Sequence, residues 1–264
     1  MVAWQPIPIE SADDVRVADY VGLRNKESEE FLIAESAPVV ARLLGSRFRV
    51  RSLLVTPKGL ARLGNIAAAP DAPLYVAEPT VMEAITGFDV HRGVLASADR
   101  RPNLALGELL STATRLVVLE GSNDHENIGV VARSARALGF DGMILDPTCA
   151  DPYYRRSVRV SMGEILHLPI VRCTTWPAPL AEIIQRGFDA WALTPDVAAA
   201  DLFTKDVPAK VAVVAGAERH GLAADARAMI ANDVRIPMHH GVDSLNLGHA
   251  LAITMAFVSS VFRT

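Results

Sequence analysis

Three short stretches of this chain hold the residue types that chemistry needs, and each follows an apolar run. The first, Asn127-Ile-Gly-Val-Val-Ala-Arg133, sets an amide, a glycine and a guanidinium on a segment where Ile128, Val131, Ala135 and Leu138 repeat with helical spacing. An arginine in the second turn of such a helix opposes the local dipole, at roughly a few tenths of a kcal/mol on an exposed surface. That placement fits a side chain that grips an anion, and Arg136, one step further on, competes for the same role. The second stretch, AGAERHGL, holds Glu218 between Gly216 and Gly221, and glycines let a backbone approach a flat ligand closely. It is not the dinucleotide fingerprint, because the third glycine and the distal acid are not both in place, and no Gly-Lys-Ser/Thr closes a phosphate loop. A tight turn with Glu218 as a helix-start acid would use the same residues. The third stretch joins Ile236-Pro237-Met238 through HHGVD to Ser244-Leu245-Asn246 and then to the apolar run LNLGHALAITMAFVSSVF. Either Ser244 or Asn246 can offer a side-chain oxygen to the first free N–H groups of that helix.

These stretches need elements to hold them. Beyond residue 107, RLVVLEG, GMILD, LPIVRC, DAWALT, KVAVVAG and DVRIPM are apolar or β-branched runs separated by helical segments. Such alternation predicts a mostly parallel sheet with helices on both faces, whose ligands bind at loops leaving the carboxyl ends of strands. The three chemical stretches follow the first, fifth and sixth of those strands. The first hundred residues read as a smaller α/β unit, with a helix over SEEFLIAESAPVVARLLGS and strands at VRSLLVT, PLYVAE and HRGVLAS. The proline-containing polar stretch SADRRPN places a boundary near 98 to 107, dividing the chain into 1–106 and 107–264.

With 264 residues, half of them hydrophobic, the chain can bury a sizeable core. It has no apolar run of transmembrane length and its first residues lack a secretory pattern, so a cytoplasmic location is expected. Cys149 and Cys173 fit buried thiols in a reducing compartment, and no second pair exists to complete a zinc site. The net charge of −4 argues against nonspecific coating of nucleic acid, yet the charge is uneven. Residues 16 to 62 hold nine Lys or Arg against five Asp or Glu. Among them Arg47, Arg49 and Arg51 alternate along RFRVRSLLVT, which would put all three on one strand face, either solvated or touching phosphates.

Together the three stretches resemble the SpoU or TrmH branch of the SPOUT RNA methyltransferases. The resemblance rests on Asn127-Ile128-Gly129 with Arg133 six residues after the Asn, on Gly216-Ala217-Glu218 with Gly221, and on Ile236-Pro237-Met238 with Ser244-Leu245-Asn246. Ser161-Met162-Gly163 looks like the family's Ser-x-Gly segment, and the match covers about residues 107 to 264. It implies a parallel sheet whose tail threads a loop into a trefoil knot, and a homodimer. It also implies S-adenosylmethionine as methyl donor, held by Gly216, Ile236 and Leu245 with Met238 and Gly221 beside them. By the same resemblance Asn127, Arg133, Glu218, Ser244 and Asn246 surround the ribose that is methylated on its 2′-hydroxyl. The first unit is similar to the ribosomal-protein-like RNA-binding domain of several members, with Arg47, Arg49 and Arg51 as candidate RNA contacts. Because the smallest transfer-RNA enzymes lack that domain, ribosomal RNA is the expected substrate; DNA and membranes are not expected partners. Transfer RNA, or a noncatalytic RNA-binding or ribosome-assembly role on the same fold, are the alternatives. The chain departs from the family at Leu247-Gly248-His249 and at Glu35-Ser36, where many relatives have Glu-Gly.

Overall fold

The computed structural model describes residues 4–24, 28–64 and 72–261. It divides into two compact units, one of Met1–Pro102 with Tyr153–His167 and the other of Asn103–Pro152 with Leu168–Thr264.

In the first unit the chain runs β1 (Pro6–Ile9), β2 (Phe31–Glu35), α1 (Ala37–Leu44), β3 (Val50–Val55), α2 (Pro57–Leu63), β4 (Leu74–Ala77), α3 (Pro79–Thr86) and β5 (Val94–Asp99). The strands form one mixed sheet in the order β1-β4-β3-β5-β2. The helix expected across SEEFLIAESAPVVARLLGS is therefore two elements, a strand and then a helix. Phe31, Leu32, Ile33 and Ala34 are all buried, and a run buried on both faces has no period by which strand and helix can be told apart. Ser36 separates the two with φ 88° and ψ 148°, a region that is essentially glycine's, and its side chain does not cap α1. The core of this unit gathers Leu54, Tyr75, Met82, Ile85 and Leu95 around Tyr20. The buried Tyr20 hydroxyl bonds the carbonyl of Ser52 at 2.8 Å and accepts from the Ser97 N–H at 3.1 Å, so its polar end is satisfied.

The second unit begins with α4 (Leu106–Thr112), β6 (Arg115–Leu119), α5 (His125–Ala137) and β7 (Gly142–Leu145). The stretch Tyr153–His167, with α6 (Arg155–Val160), then belongs to the first unit. There the half-buried carboxylate of Glu35 on β2 accepts from Arg155 at 2.9 Å, and Arg42 on α1 meets Glu164 at 2.6 Å. No linker composition marks this excursion, and a single boundary between residues 106 and 107 leaves it out.

The second unit resumes with β8 (Ile170–Arg172), α7 (Ala178–Gln185), β9 (Asp189–Leu193), β10 (Ala200–Asp201), β11 (Val211–Ala215), α8 (Ala224–Ala228), β12 (Asn232–Arg235) and α9 (Leu247–Ser260). All seven strands are parallel, in the order β10-β12-β9-β11-β6-β7-β8. One face is covered by α4, α7 and α8 through Leu109, Leu110, Leu180, Ile183 and Ala226, packed on Leu116, Val118, Ile144 and Val214. On the other, α5 and α9 pack together and against β7 and β11. Their close approach explains Gly248: a Cβ there would stand 2.9 Å from Val130 of α5. The alternation read from the sequence thus becomes a doubly covered parallel sheet, as the burial of its strands on both faces requires. Among the described residues no helix is long and apolar enough to cross a membrane.

Candidate active site

At the carboxyl end of β6 the chain turns through Gly121, whose φ of 66° favours glycine, and enters α5. The turn is fastened by Asp146, which follows β7 and accepts from the N–H groups of Gly121 at 3.0 Å and Cys149 at 2.9 Å and from the Thr148 hydroxyl at 2.7 Å. Burial alone would raise the Asp146 carboxyl, but these bonds outweigh it and hold it below its ordinary value. Its neighbour Glu120 goes the other way: burial pushes its carboxyl up, although one oxygen accepts from the Ala223 N–H at 3.0 Å. That bond ties the loop after β11 to the end of β6. Burial also pushes the Cys149 thiol up to about 12 and the Cys173 thiol up to about 11, far from the thiolate that nucleophilic chemistry needs.

The cap of α5 is Asp124, which accepts from the Glu126 N–H at 2.8 Å. Asn127 is accordingly the third helical residue rather than the opening one, and its side chain is buried. Arg133 lies in the third turn, not the second. At that depth Arg133 does not oppose the N-terminal dipole as its expected place in the second turn implied, because that effect fades within the first turn. It is exposed, and among the described residues it has no hydrogen bond or ion pair.

After β11 the backbone doubles back, with Ala217 and Gly221 bridged and the Gly221 N–H donating to the Ala217 carbonyl at 2.8 Å. Gly216 is pressed so tightly on Gly221 and Leu222 that a Cβ would overlap their backbone atoms. Gly221 is in open space but has φ 63°. One glycine serves close approach and the other a left-handed turn.

The third stretch leaves β12 through half-buried Ile236, Pro237 and Met238. Asn246, not Ser244, caps α9, its Oδ1 accepting from the N–H groups of Gly248 at 2.9 Å and His249 at 3.3 Å. The other end of that amide closes the site. Asn246 Nδ2 donates to Asn127 Oδ1 at 3.1 Å and to Glu218 Oε1 at 3.2 Å, while Asn127 Nδ2 donates to Glu218 Oε1 at 3.0 Å. The three stretches therefore meet in one hydrogen-bonded junction.

Beside the junction is a cavity of about 510 Å³, within the range of small-molecule sites. Gly216, Gly221, Ile236, Met238 and Leu245, the five residues expected at the cofactor, all line it. Glu218, Ser244 and Asn246 also contribute to its wall, whereas Arg133 lines neither this cavity nor the one next to it. Leu193, Thr194 and Pro195 line it as well and were not singled out from the sequence. Their signal was positional, since Leu193 ends β9 and Thr194 and Pro195 follow it, at the same edge of the sheet as the other loops.

In the first unit the arginine trio is not a regular strand face. The strand starts only at Val50, and its register with β5 shifts between Val50 and Ser52. Arg51 lies over the Phe31 ring and pairs with Asp19 at 2.9 Å and Asp99 at 3.3 Å. Arg49 reaches Asp99 at 3.3 Å with its side chain 86% exposed, and Arg47 is exposed.

The model of the SpoU rRNA methylase family matches residues 114–256. The chain is 39% identical over 252 residues to an uncharacterized tRNA/rRNA methyltransferase of Mycobacterium tuberculosis, covering 91% of this chain and 87% of that protein. It is 31% identical over 194 residues to the 23S rRNA (guanosine-2′-O-)-methyltransferase RlmB of Ralstonia nicotianae, covering 72% and 77% of the two chains. A crystal structure of an AdoMet-bound rRNA methyltransferase from Sinorhizobium meliloti superposes with a TM-score of 0.81 at 22% identity, covering 98% of this chain and 99% of that one.

Proposed function

This chain belongs to the SpoU rRNA methylase family, and from that premise we propose that it uses S-adenosylmethionine to methylate a ribose 2′-hydroxyl of RNA, ribosomal RNA before transfer RNA. The observation that carries the reading is the junction of Asn127, Glu218 and Asn246 on the wall of the 510 Å³ cavity. The name of the RlmB relative supports the ribose and the ribosomal substrate.

The cavity suits such a cofactor. Gly216 and Gly221 let the backbone approach a ligand closely, and Ile236, Met238 and Leu245 give apolar cover. When bound, S-adenosylmethionine supplies an electrophilic methyl on a sulfonium. The protein's task is then to hold the sugar hydroxyl in line, and such positioning accounts for much of the rate in reactions of this kind. Glu218 and Asn127 are locked by their mutual bond and by the Asn246 amide, so they can orient the sugar without reorganising. A hydroxyl must lose its proton as it attacks, and an arginine with a pKa above about 12 is a poor base. Arg133 is assigned to clamp a phosphate, and the proton leaves late, to solvent or phosphate.

Arg133 lines neither cavity of its own subunit, which supports a homodimer in which it serves the second copy's site. An apolar face suits that assembly. Ile253 and Phe257 on α9 and Val261 at its C-cap recur every four residues, with Phe203 edge-on to Phe257 and 56% exposed. The return of the chain from β12 to pack α9 on α5 is the crossing that a threaded tail needs, and we assign the trefoil knot there. The first unit is assigned RNA binding through Arg47 and Arg49. Arg51 would first have to release Asp19 and Asp99.

The test is calorimetric titration with S-adenosylmethionine, followed by incubation with ribosomal RNA and nucleoside mass spectrometry. Binding and a ribose-methylated product are expected, with DNA of the same sequence inert. A methylated base would refute the ribose assignment, and binding without turnover would leave an RNA-binding factor.

A further inference from the structure

A second cavity, of about 520 Å³, shares Ala217, Glu218, Arg219 and Leu247 with the first. Three of these four belong to the turn after β11, so that turn is a partition between the two spaces. Its backbone is fixed from two sides: the Ala217–Gly221 bridge closes it, and the Glu218 carboxylate is held by Asn127 at 3.0 Å and Asn246 at 3.2 Å. Arg219 stands at the tip, one residue from that carboxylate. It is exposed, and among the described residues it has neither a hydrogen bond nor an ion pair. No other Lys or Arg among the described residues lines either cavity. A permanently charged, planar donor is thus presented on a fixed turn between both spaces, with its charge unanswered inside the subunit.

We propose that Arg219 binds a phosphodiester of the RNA beside the methylated sugar, from the same subunit that supplies Glu218 and Asn127. The proposal rests on the ribose-methylation reading above and deepens it. Of the two ligands that reading brings together, the cofactor is the poorer partner for a lone cation. S-adenosylmethionine carries a sulfonium and an ammonium against one carboxylate, so a guanidinium beside it meets net positive charge. RNA brings the opposite sign. The phosphate 3′ to the target sugar is borne on the carbon next to the one with the reacting hydroxyl. A sugar seated at Glu218 and Asn127 therefore has that phosphate within reach of a long side chain that starts one residue away. A guanidinium meets phosphate oxygens through two parallel N–H bonds, which fixes orientation as well as charge. Such a contact positions the backbone and reads no base, so Arg219 acts on how the sugar is seated and not on which base it carries.

The test compares Arg219→Ala and Arg219→Lys with the wild type by filter binding to a 23S rRNA transcript, the substrate named for the RlmB relative, between roughly 50 and 200 mM KCl. Arg219→Ala should weaken binding about 5- to 10-fold near 0.1 M salt and make the slope of log K against log salt shallower by about 0.7 to 0.9, the release of one counterion. Arg219→Lys keeps the charge and should keep the slope while losing part of the affinity. In Arg219→Ala the KM for RNA should rise more than kcat falls, and neither the thermal midpoint nor the affinity for S-adenosylmethionine should drop. Wild-type RNA affinity in Arg219→Ala overturns the proposal. So does a loss of affinity at unchanged salt slope that Arg219→Lys shares, which marks a packing role. Weaker S-adenosylmethionine binding with RNA binding intact assigns the guanidinium to the cofactor's carboxylate and overturns it as well. A methylated base, or no methyl transfer to RNA, is seen in the wild type alone; it removes the underlying reading and this proposal with it.

Discussion

Gly216→Ala tests the proposed cofactor site at its tightest point. The added Cβ would overlap the carbonyl carbon and oxygen of Gly221 and the nitrogen of Leu222, all of them backbone, so no side chain can swing away. Restoring an ordinary carbon contact of about 3.5 Å requires the two arms of the loop to part by on the order of 1 Å. That movement strains the Ala217–Gly221 bridge and shifts Glu218, whose carboxylate holds Asn127 and Asn246. Overpacking of this kind typically costs about 1–3 kcal/mol, and if the cost falls on the bound state it corresponds to roughly a 5- to 150-fold loss of S-adenosylmethionine affinity. Gly221→Ala is the matched contrast. Nothing lies within 4 Å of its Cβ, but its φ of 63° makes the backbone alone carry a cost of about 1–2 kcal/mol. Gly221→Asn should recover part of that loss, because Asn tolerates left-handed backbone, whereas no residue larger than glycine should rescue position 216. Isothermal calorimetry with S-adenosylhomocysteine and thermal melts on the three variants make the comparison. A Gly216→Ala protein with wild-type affinity and melting temperature would refute the claim that close approach, rather than turn conformation, fixes this glycine.

Asn246→Asp keeps the α9 cap but turns the donor facing Glu218 Oε1 into a second carboxylate, so activity should fall roughly 10-fold or more while far-UV circular dichroism stays unchanged; equal activity would show the junction to be dispensable. Arg133→Lys should retain measurable turnover with RNA affinity weakened roughly 10-fold, since Lys keeps the charge and loses the planar fork; loss of turnover at unchanged RNA affinity would favour a base over a clamp. Ser36→Gly should stabilise the protein by about 1 kcal/mol, relieving a backbone cost of about 1–3 kcal/mol against roughly 0.5–1 kcal/mol of extra chain entropy, and raise the melting temperature by about 2–4 °C. For Glu120 the folded carboxyl sits above its ordinary value of 4.5, so the stability it contributes is full below that pH and is lost as pH rises through the folded value. The stability of Glu120→Gln relative to wild type should therefore grow as pH climbs above 4.5, and urea melts showing a pH-independent difference would contradict the shift.

The second unit was largely readable because its sheet is parallel and covered on both faces, so its strands stand out as apolar runs such as Val211–Ala215 between helical segments. The first unit was read less well. Phe31–Glu35 carries no period to distinguish strand from helix, and Pro6–Ile9, with a proline at every other position, does not look like a strand, yet it pairs at the sheet edge where missing N–H groups matter least. The excursion Tyr153–His167 was invisible for another reason. Its place is decided by Arg155 finding Glu35 and Glu164 finding Arg42, some 120 residues away, and pairings at that separation leave no local mark. The same holds for the arginine trio, where the alternation of residue types was real but the bulge at Val50 and Ser52 and the carboxylates of Asp19 and Asp99 decide where the charges point.

The members of the hydrogen-bonded junction could be named from the sequence, but its wiring could not. Spacing named Asn127, Glu218 and Asn246 separately, but nothing in the chain said that a single amide would cap α9 with its oxygen and bind the other two with its nitrogen. That double use makes the junction depend on the last helix. Until α9 docks on α5, Asn246 has no fixed place, Glu218 keeps only the Asn127 donor, and the cavity lacks the wall that Leu245 and Asn246 provide. Anything that binds only the completed cavity must then stabilise the docked helix by mass action. The segment that closes the fold and the segment that completes the junction are thus the same fourteen-residue helix with its capping asparagine, which is why the apolar run after Ser244-Leu245-Asn246 shapes the cavity as much as the core.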